Sequence, residues 1–423
     1  MISGPRFADN SRRRVVITGM GVIAPNGRDL TTFWDSVRFG RSAIGPLTRF
    51  DPADSPSKLA AEVNDWNPAE YMDGKIARRT ERSLQYALAS ATLAVRDADL
   101  DLSKIDPDRV GLVEGTSLSN LEIAYRARAT LDERGLRAFG PTTMLLGYVG
   151  SGSAEIAQMI GLRGHSLTCS SSSSSGNDAL GYALHMIVHE EVDVMLAGAA
   201  EAPLVDTVCF GFAKSLAMSS WGGAPGEAMK PFDMAGDGFV MAEGGAFLVL
   251  EELSHALGRG ARIYAEILGQ GRACEAYHPF APQADGWGVT RAIEKALRQA
   301  QIGPDEIDYI NPHGTANELN DIAEIRGIKN ALGPAARRVA ISSTKPVTGH
   351  PLAAAGALEA VILALVVSRQ EIPPSLNLTN CRPECDLDIV SPVSRPYPAR
   401  IALSLNSGLG GKNSCLVIGR YPR

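Results

Sequence analysis

The chain is 423 residues long, room for two or three domains of ~150 residues or for one large duplicated unit. Its 41 Lys and Arg stand against 47 Asp and Glu, a net charge of -6, which argues against a large nucleic-acid surface and leaves only a local basic patch open. Six cysteines in so long a chain do not make a disulfide framework and point to a reducing compartment.

No apolar run reaches the ~18 residues of a membrane span. The longest, Leu352 to Val367, carries Glu359 and predicts a buried core helix. Arg12-Arg13-Arg14 ahead of Val15 to Ala24 imitates a secretory leader. Thr18, Gly19 and Gly21 interrupt it and Pro25-Asn26-Gly27 follows, so a strand ending in a glycine turn fits better. A cytoplasmic protein is expected.

In chain order, residues 1–12 read as a disordered tail and Val15 to Thr18 as a strand. Asp29 to Phe39 predicts a helix capped by Asp29, and Glu81 to Ala98 a second helix. Val110 to Val113 is a buried strand, and a helix ends at Gly161 and Gly164. The serine tract Ser170 to Ser175, closed by Gly176, leads into a helix from Asn177 to His189. Val192 to Gly198 and Gly245 to Glu251 are strands. The order then begins again, with a strand from Ile263 to Gly269 and a helix from Gly288 to Ala300. Tyr309-Ile310 and Val339 to Ser343 are strands, and the long apolar helix follows from Leu352. Ile401 to Leu405 runs into a glycine turn, and Cys415 to Ile418 closes the chain. Both halves pass from strand to polar turn to small-residue helix, which predicts a duplicated α/β unit with mixed sheets around buried helices.

Several motifs are decoys. Gly19-x-Gly21-x-x-Ala24 imitates a dinucleotide fingerprint, but Pro25 and Gly27 break the helix whose N-terminus would hold the pyrophosphate. Ser342-x-x-Lys345 lacks the Lys-Thr-Gly of the serine β-lactamases. His185 and His189 have Met186 where a zincin needs Glu, and Cys381 and Cys385 have no second ligand pair, so no metal is expected.

Polar residues gather instead where strands end among small residues. Thr168 to Gly181 offers hydroxyls at a strand-to-helix turn, and Asn311-Pro312-His313-Gly314-Thr315 follows another strand. Ser343 to His350, with Lys345, enters the apolar helix, and Asn406 to Gly411 supplies backbone N–H groups in a glycine turn. A nucleophile at a helix N-terminus, two histidines, a lysine and glycine-flanked amides make an acyl-transfer site.

With these residues in view, the chain resembles the β-ketoacyl-acyl-carrier-protein synthases of the thiolase superfamily. The likeness runs from Arg14-Val15-Val16-Ile17-Thr18-Gly19-Met20-Gly21 to Gly410-Gly411-Lys412-Asn413. It takes in Pro231-Phe232-Asp233, Asp237-Gly238-Phe239-Val240, His313-Gly314-Thr315 and Lys345 to Glu359. Ser407-Gly408-Leu409-Gly410-Gly411 makes it most similar to the ketosynthase subunit of type II polyketide systems, since many fatty-acid enzymes carry Phe where Ser407 stands. The resemblance implies the αβαβα thiolase fold, with an N-terminal half over 1–258 carrying the nucleophile and a C-terminal half over 259–423. It implies a dimer, with a chain-length-factor-like subunit or a second copy, and an acyl carrier protein as partner. It implies no tightly bound cofactor, the substrate riding on the carrier's phosphopantetheine.

The chain departs from the family at its nucleophile. Gly161-Leu162-Arg163-Gly164-His165-Ser166 upstream and Ser175-Gly176-Asn177-Asp178 downstream both place it at Ser173, where the family has Cys. Cys169 falls four residues earlier and is expected to be a buried structural thiol. Serine ionises far less readily than cysteine and needs a positioned base. Two explanations stand: an introduced Cys-to-Ser change in an elongating synthase, which is preferred, or a native serine acyltransferase or malonyl decarboxylase. A non-catalytic chain-length-factor-like subunit is a third reading, disfavoured because both histidines are kept.

By family position, Ser173 accepts the acyl chain, His313 and His350 stabilise the enolate, and Lys345 supports them. Asp321 and Glu324 either join that network or start a solvated helix. The amides of Ser173 and Ser407 form the oxyanion hole. Thr315, Asn317, Ser407 and Leu409 line the pantetheine and acyl pocket, and Ser407 puts the family's aromatic gate in doubt.

Overall fold

The computed structural model describes residues 13–140 and 142–421. The expected N-terminal tail, 1–12, lies outside them. Five strands of the first half stand side by side in the order Ser166–Cys169, Val110–Gly115, Val194–Glu201, Gly244–Glu252, Val15–Ile23. Five of the second half repeat this as Ala340–Ile341, Tyr309–Asn311, Ile401–Gly408, Lys412–Gly419, Ala265–Cys274. Directions repeat as well. The first three strands of each set are parallel and the last two antiparallel joins. The sets meet where Val15 to Ile17 pairs antiparallel with Ala265 to Ile267.

Two helices lie between the sets, Ser175–Val188 and Ala354–Arg369, and each packs on strands of both. Helix Arg82–Asp97 covers the outside of the first set, and Trp287–Ala300 with Glu318–Leu332 covers the second. The layers therefore run α-β-α-β-α, as expected of a thiolase-like fold. Ala354–Arg369 is buried on every side through Val367, which is why its sequence has no polar stripe. The two central helices touch at their backbones: an ideal Cβ on Gly176 would stand 2.5 Å from Ala357 N, and one on Gly356 2.6 Å from Asn177 N. Among the described residues, no helix is long and apolar enough to cross a membrane.

The first strand corrects the sequence reading. It does not stop at Thr18 but runs from Val15 to Ile23, with a bulge between Ile17 and Gly19. Its glycines do not make a turn. They admit helix Arg82–Asp97, since a Cβ on Gly19 would stand 2.3 Å from Ala94 O and one on Gly21 2.0 Å from Ser90 O.

Candidate functional site

The serine tract is a turn that fastens itself. Ser175 Oγ accepts from Ser171 N–H at 2.9 Å and lies 2.6 Å from Ser172 O. Ser174 Oγ donates to Ser171 O at 2.8 Å, and Ser171 Oγ to Asp178 Oδ2 at 2.6 Å. Ser172 takes φ +60, a left-handed conformation that brings the chain sharply from strand Ser166–Cys169 into helix Ser175–Val188. Ser173 sits at that corner, two residues before the helix, at the positive end of its dipole. Its Oγ is 3.2 Å from His350 Nε2. The glycine turn closes over the corner: a Cβ on Gly408 would stand 2.6 Å from Ser171 O and 3.2 Å from Ser173 N.

His350 is set by the backbone and by a ring. Its N–H donates to Val240 O at 2.8 Å, and its imidazole meets Phe239 edge-on with centroids 4.9 Å apart. The His313 ring stands against it at 5.2 Å and 84°. Glu324 holds the turn of His313, accepting from His313 N–H at 2.6 Å and Gly314 N–H at 2.9 Å. Burial and then the charge of Lys345 hold both imidazoles well below the usual histidine range, so both are neutral at pH 7. Lys345 is paired with Glu359 in the interior. The other carboxylate oxygen of Glu359 accepts from Asn406 Nδ2 at 2.6 Å and Ser404 Oγ at 3.0 Å.

Ser173, His313, His350, Thr315, Asn317, Ser407 and Leu409 all line one cavity of about 220 Å³. Lys345, Asp321 and Glu324 are buried outside it. Neither acid is at a solvated helix start. Burial pushes Asp321 up to about 7 and Glu324 to about 8, against the backbone N–H groups each accepts. Asn317 caps helix Glu318–Leu332 by accepting from Asn320 N–H. Ser407 Oγ donates to Asn413 Oδ1 at 2.7 Å, and Asn413 Nδ2 to Glu275 Oε1 at 3.0 Å. Cys169 is half-buried, does not line the cavity, and has its thiol pushed up to about 12 by burial.

Sequence reasoning did not single out Phe239, Glu275, Asn413 and Glu359 as site residues. Glu359 carried a readable signal, because a carboxylate alone in an apolar helix requires a buried partner. Phe239 stands in the Asp237-Gly238-Phe239-Val240 motif, which marked the family without marking a site; Glu275 comes from a loop distant in sequence and carried no signal.

Comparison with known proteins gives a consistent result. The β-ketoacyl synthase N-terminal domain matches residues 12–256 and the C-terminal domain residues 264–379. The 3-oxoacyl-[acyl-carrier-protein] synthase 2 of Synechocystis sp. is 37% identical over 415 residues, covering 98% of this chain and 100% of the relative. That of Coxiella burnetii is 37% identical over 97% of this chain and 99% of the relative. Among solved structures, a type II polyketide acyl-carrier protein in complex with its ketosynthase bound to the hexaketide aligns with TM-score 0.90 and 33% identity, over 97% of this chain and 100% of that one. The ishigamide ketosynthase/chain length factor aligns with TM-score 0.91 and 32% identity, over the same shares.

Proposed function

This chain belongs to the β-ketoacyl synthase family, and from that premise we propose that it decarboxylates the malonyl unit carried by an acyl carrier protein and joins the enolate to an acyl chain held on Ser173. The observation that carries this reading is the convergence of Ser173 Oγ, His313 and His350 on one cavity, with the Lys345–Glu359 pair behind them. The neutral imidazoles donate to the malonyl thioester oxygen, the C–C bond to the carboxylate breaks, and CO2 leaves. The enolate carbon attacks the Ser173 ester, held by the amides of Ser173 and Ser407. The ester C–Oγ bond breaks and the departing oxygen takes a proton, giving 3-oxoacyl carrier protein and free Ser173. Thr315, Asn317 and Leu409 hold the pantetheine arm, and Asp321 and Glu324 brace the loop of His313.

An acidic carrier protein needs a basic landing site. Lys75 and Arg78 are exposed on the short helix Gly74–Arg79, with exposed Arg126 on helix Leu121–Arg134. The reading includes a dimer. Strand Ser166–Cys169 is an open sheet edge, and Leu136, Met144, Leu145, Tyr148 and Val149 are exposed. The ketosynthase/chain length factor neighbour makes a chain-length-factor-like subunit the first partner to test, ahead of a second copy. We also read the chain as cytoplasmic, as dividing near residue 258, and as needing no resident cofactor.

One observation favours a second reading, decarboxylation without condensation. The base at Ser173 is a buried, neutral imidazole 3.2 Å away, and a hydroxyl is a far weaker nucleophile than a thiol. Decarboxylation needs only donors at the thioester oxygen. The enolate then takes a proton and leaves as acetyl carrier protein. Mass spectrometry of malonyl carrier protein, incubated with this chain and an acyl carrier protein, separates the readings. A 3-oxoacyl product supports elongation, acetyl carrier protein alone supports the decarboxylase, and unchanged malonyl carrier protein sinks both. Condensation gained only in Ser173→Cys assigns the missing step to the hydroxyl.

A further inference from the structure

The turn from Pro231 to Gly238 supplies Phe239 to the cavity wall at its end, but its own core residue, Phe232, lies outside the cavity. Phe232 is fully buried and takes φ +66, a conformation a bulky side chain holds only when its surroundings over-determine it. Two contacts fix it. Its N–H donates to Asp321 Oδ2 at 2.7 Å, and its carbonyl accepts from the Arg382 backbone N–H at 2.9 Å. The Arg382 guanidinium is itself buried, donating to Gly236 O at 3.2 Å and lying 3.1 Å from Glu318 Oε2. Asp233 pins the next position, accepting from Thr379 N–H and Asn380 N–H, each at 2.6 Å.

The loop of His313 rests on this turn at two points. The Phe232 ring lies under Gly314, where a Cβ would stand 3.4 Å from Phe232 Cζ, and Gly238 N–H donates to Ala316 O at 3.0 Å. Gly314, at φ +42, follows His313 directly. We infer that Phe232, held in a left-handed backbone conformation between Asp321 and Arg382, is a positioning residue that seats His313 in the cavity. The strain is retained because a relaxed backbone would turn the ring away from Gly314 and let the loop settle. Arg382 acts from behind the seat. Its backbone N–H holds the carbonyl of Phe232, and its guanidinium stands as the cation beside Asp321, which is also faced by Glu324 and Cys385.

The inference rests on the proposed chemistry, so its test has a readout independent of it. Phe232→Ala, Phe232→Leu, Arg382→Met and Arg382→Lys are compared for malonyl carrier protein decarboxylation and for the ring 15N signals of His313. Phe232→Ala and Arg382→Met are expected to lower kcat about 10- to 100-fold, with KM changed less than about twofold, and to move the His313 signals. Removing the guanidinium raises the pH at which Asp321 ionises, so kcat of Arg382→Met recovers as pH rises, whereas Arg382→Lys keeps the wild-type profile. Should Phe232→Ala fail to fold, Phe232→Leu, which keeps most of the volume, decides by the same readouts. Wild-type kcat and unmoved His313 signals in the folded Phe232 variants overturn the inference. If the wild type leaves malonyl carrier protein unchanged, the proposed function falls and the His313 signals alone decide this one.

Discussion

Replacing Glu359 by Gln should reveal what the buried ion pair contributes. Lys345 and Glu359 are 1% and 3% exposed, so neither charge has water to fall back on. Glu359→Gln keeps the volume but leaves the Lys345 ammonium uncompensated, which costs about 3–5 kcal/mol when one partner of a buried pair is removed. Lysine escapes such a penalty by losing its proton. Without its partner the buried ammonium is the form the interior disfavours, so the variant gives up that proton below the ordinary lysine range. The folded variant then binds fewer protons than the unfolded chain as pH rises toward the ordinary lysine range, so its stability rises with pH there. Urea unfolding of wild type and variant from pH 6 to 10 should show a deficit largest at the acid end and shrinking toward pH 10. Lys345→Met combined with Glu359→Gln removes the stranded charge and should recover much of the loss. A deficit independent of pH, or a double variant as unstable as the two single losses added together, would refute the coupling of the pair.

Gly408→Ala pushes a methyl toward Ser171 O and Ser173 N, backbone atoms that cannot yield, and should cut turnover of malonyl carrier protein by at least ~10-fold in a folded protein; wild-type kcat would show that the turn does not bear on Ser173. Gly176→Ala drives the two central helices apart and should cost ~1–3 kcal/mol or more in urea unfolding, against near zero for a glycine with open space such as Gly211→Ala. Glu114 is pushed up to about 8 mainly by burial, so the folded state holds a proton the unfolded chain has lost, and stability falls from about pH 4.5 to 8 by up to ~1.4 kcal/mol per pH unit. Glu114→Gln should remove that slope, and a variant-to-wild-type difference constant from pH 5 to 8 would contradict it. Lys75→Glu with Arg78→Glu should raise KM for carrier-borne substrate several-fold while leaving kcat near wild type; an unchanged KM places the landing site elsewhere.

Much of the fold was legible because its segments announce themselves locally. Val110 to Val113 and Ala402 to Leu405 are buried on both faces, and strands buried so read as near-continuous apolar runs, the second interrupted by Ser404. The serine tract and Gly176 marked the corner before Ser175–Val188, although the helix begins two residues before the expected Asn177. What sequence could not give was approach between distant segments. Gly19 and Gly21 read as a turn because nothing nearby in sequence says that Ser90 and Ala94 press on them. Helix Leu121–Arg134 was not foreseen, having just one buried residue and therefore almost no apolar stripe. At the site, the spacing of His313, Lys345 and His350 suggested a cluster. That Lys345 turns away from the cavity to Glu359 depends on a helix packing that spacing does not encode.

The position of Ser173 bears on how the site's parts depend on one another. In the proposed reaction, the groups assigned to the malonyl thioester come from the second half: His313 and His350, made neutral by burial and by the neighbouring Lys345. A buried ion pair such as Lys345–Glu359 contributes little net stability compared with apolar side chains of the same volume. Its presence is therefore better explained by chemistry than by folding. The residue proposed as nucleophile comes from the first half, and its turn is built by the hydroxyls of Ser171, Ser174 and Ser175 and by the φ of Ser172, none of which requires sulfur at 173. Serine there leaves that corner standing and the two histidines in place. The step that serine weakens in the proposed reaction is acyl transfer, because the hydroxyl must lose its proton to an imidazole that burial keeps weakly basic. The two steps of the proposed reaction are thus separable in this fold: O or S at residue 173 sets how readily the acyl chain is taken up and passed on, while the groups assigned to the loss of CO2 stay the same.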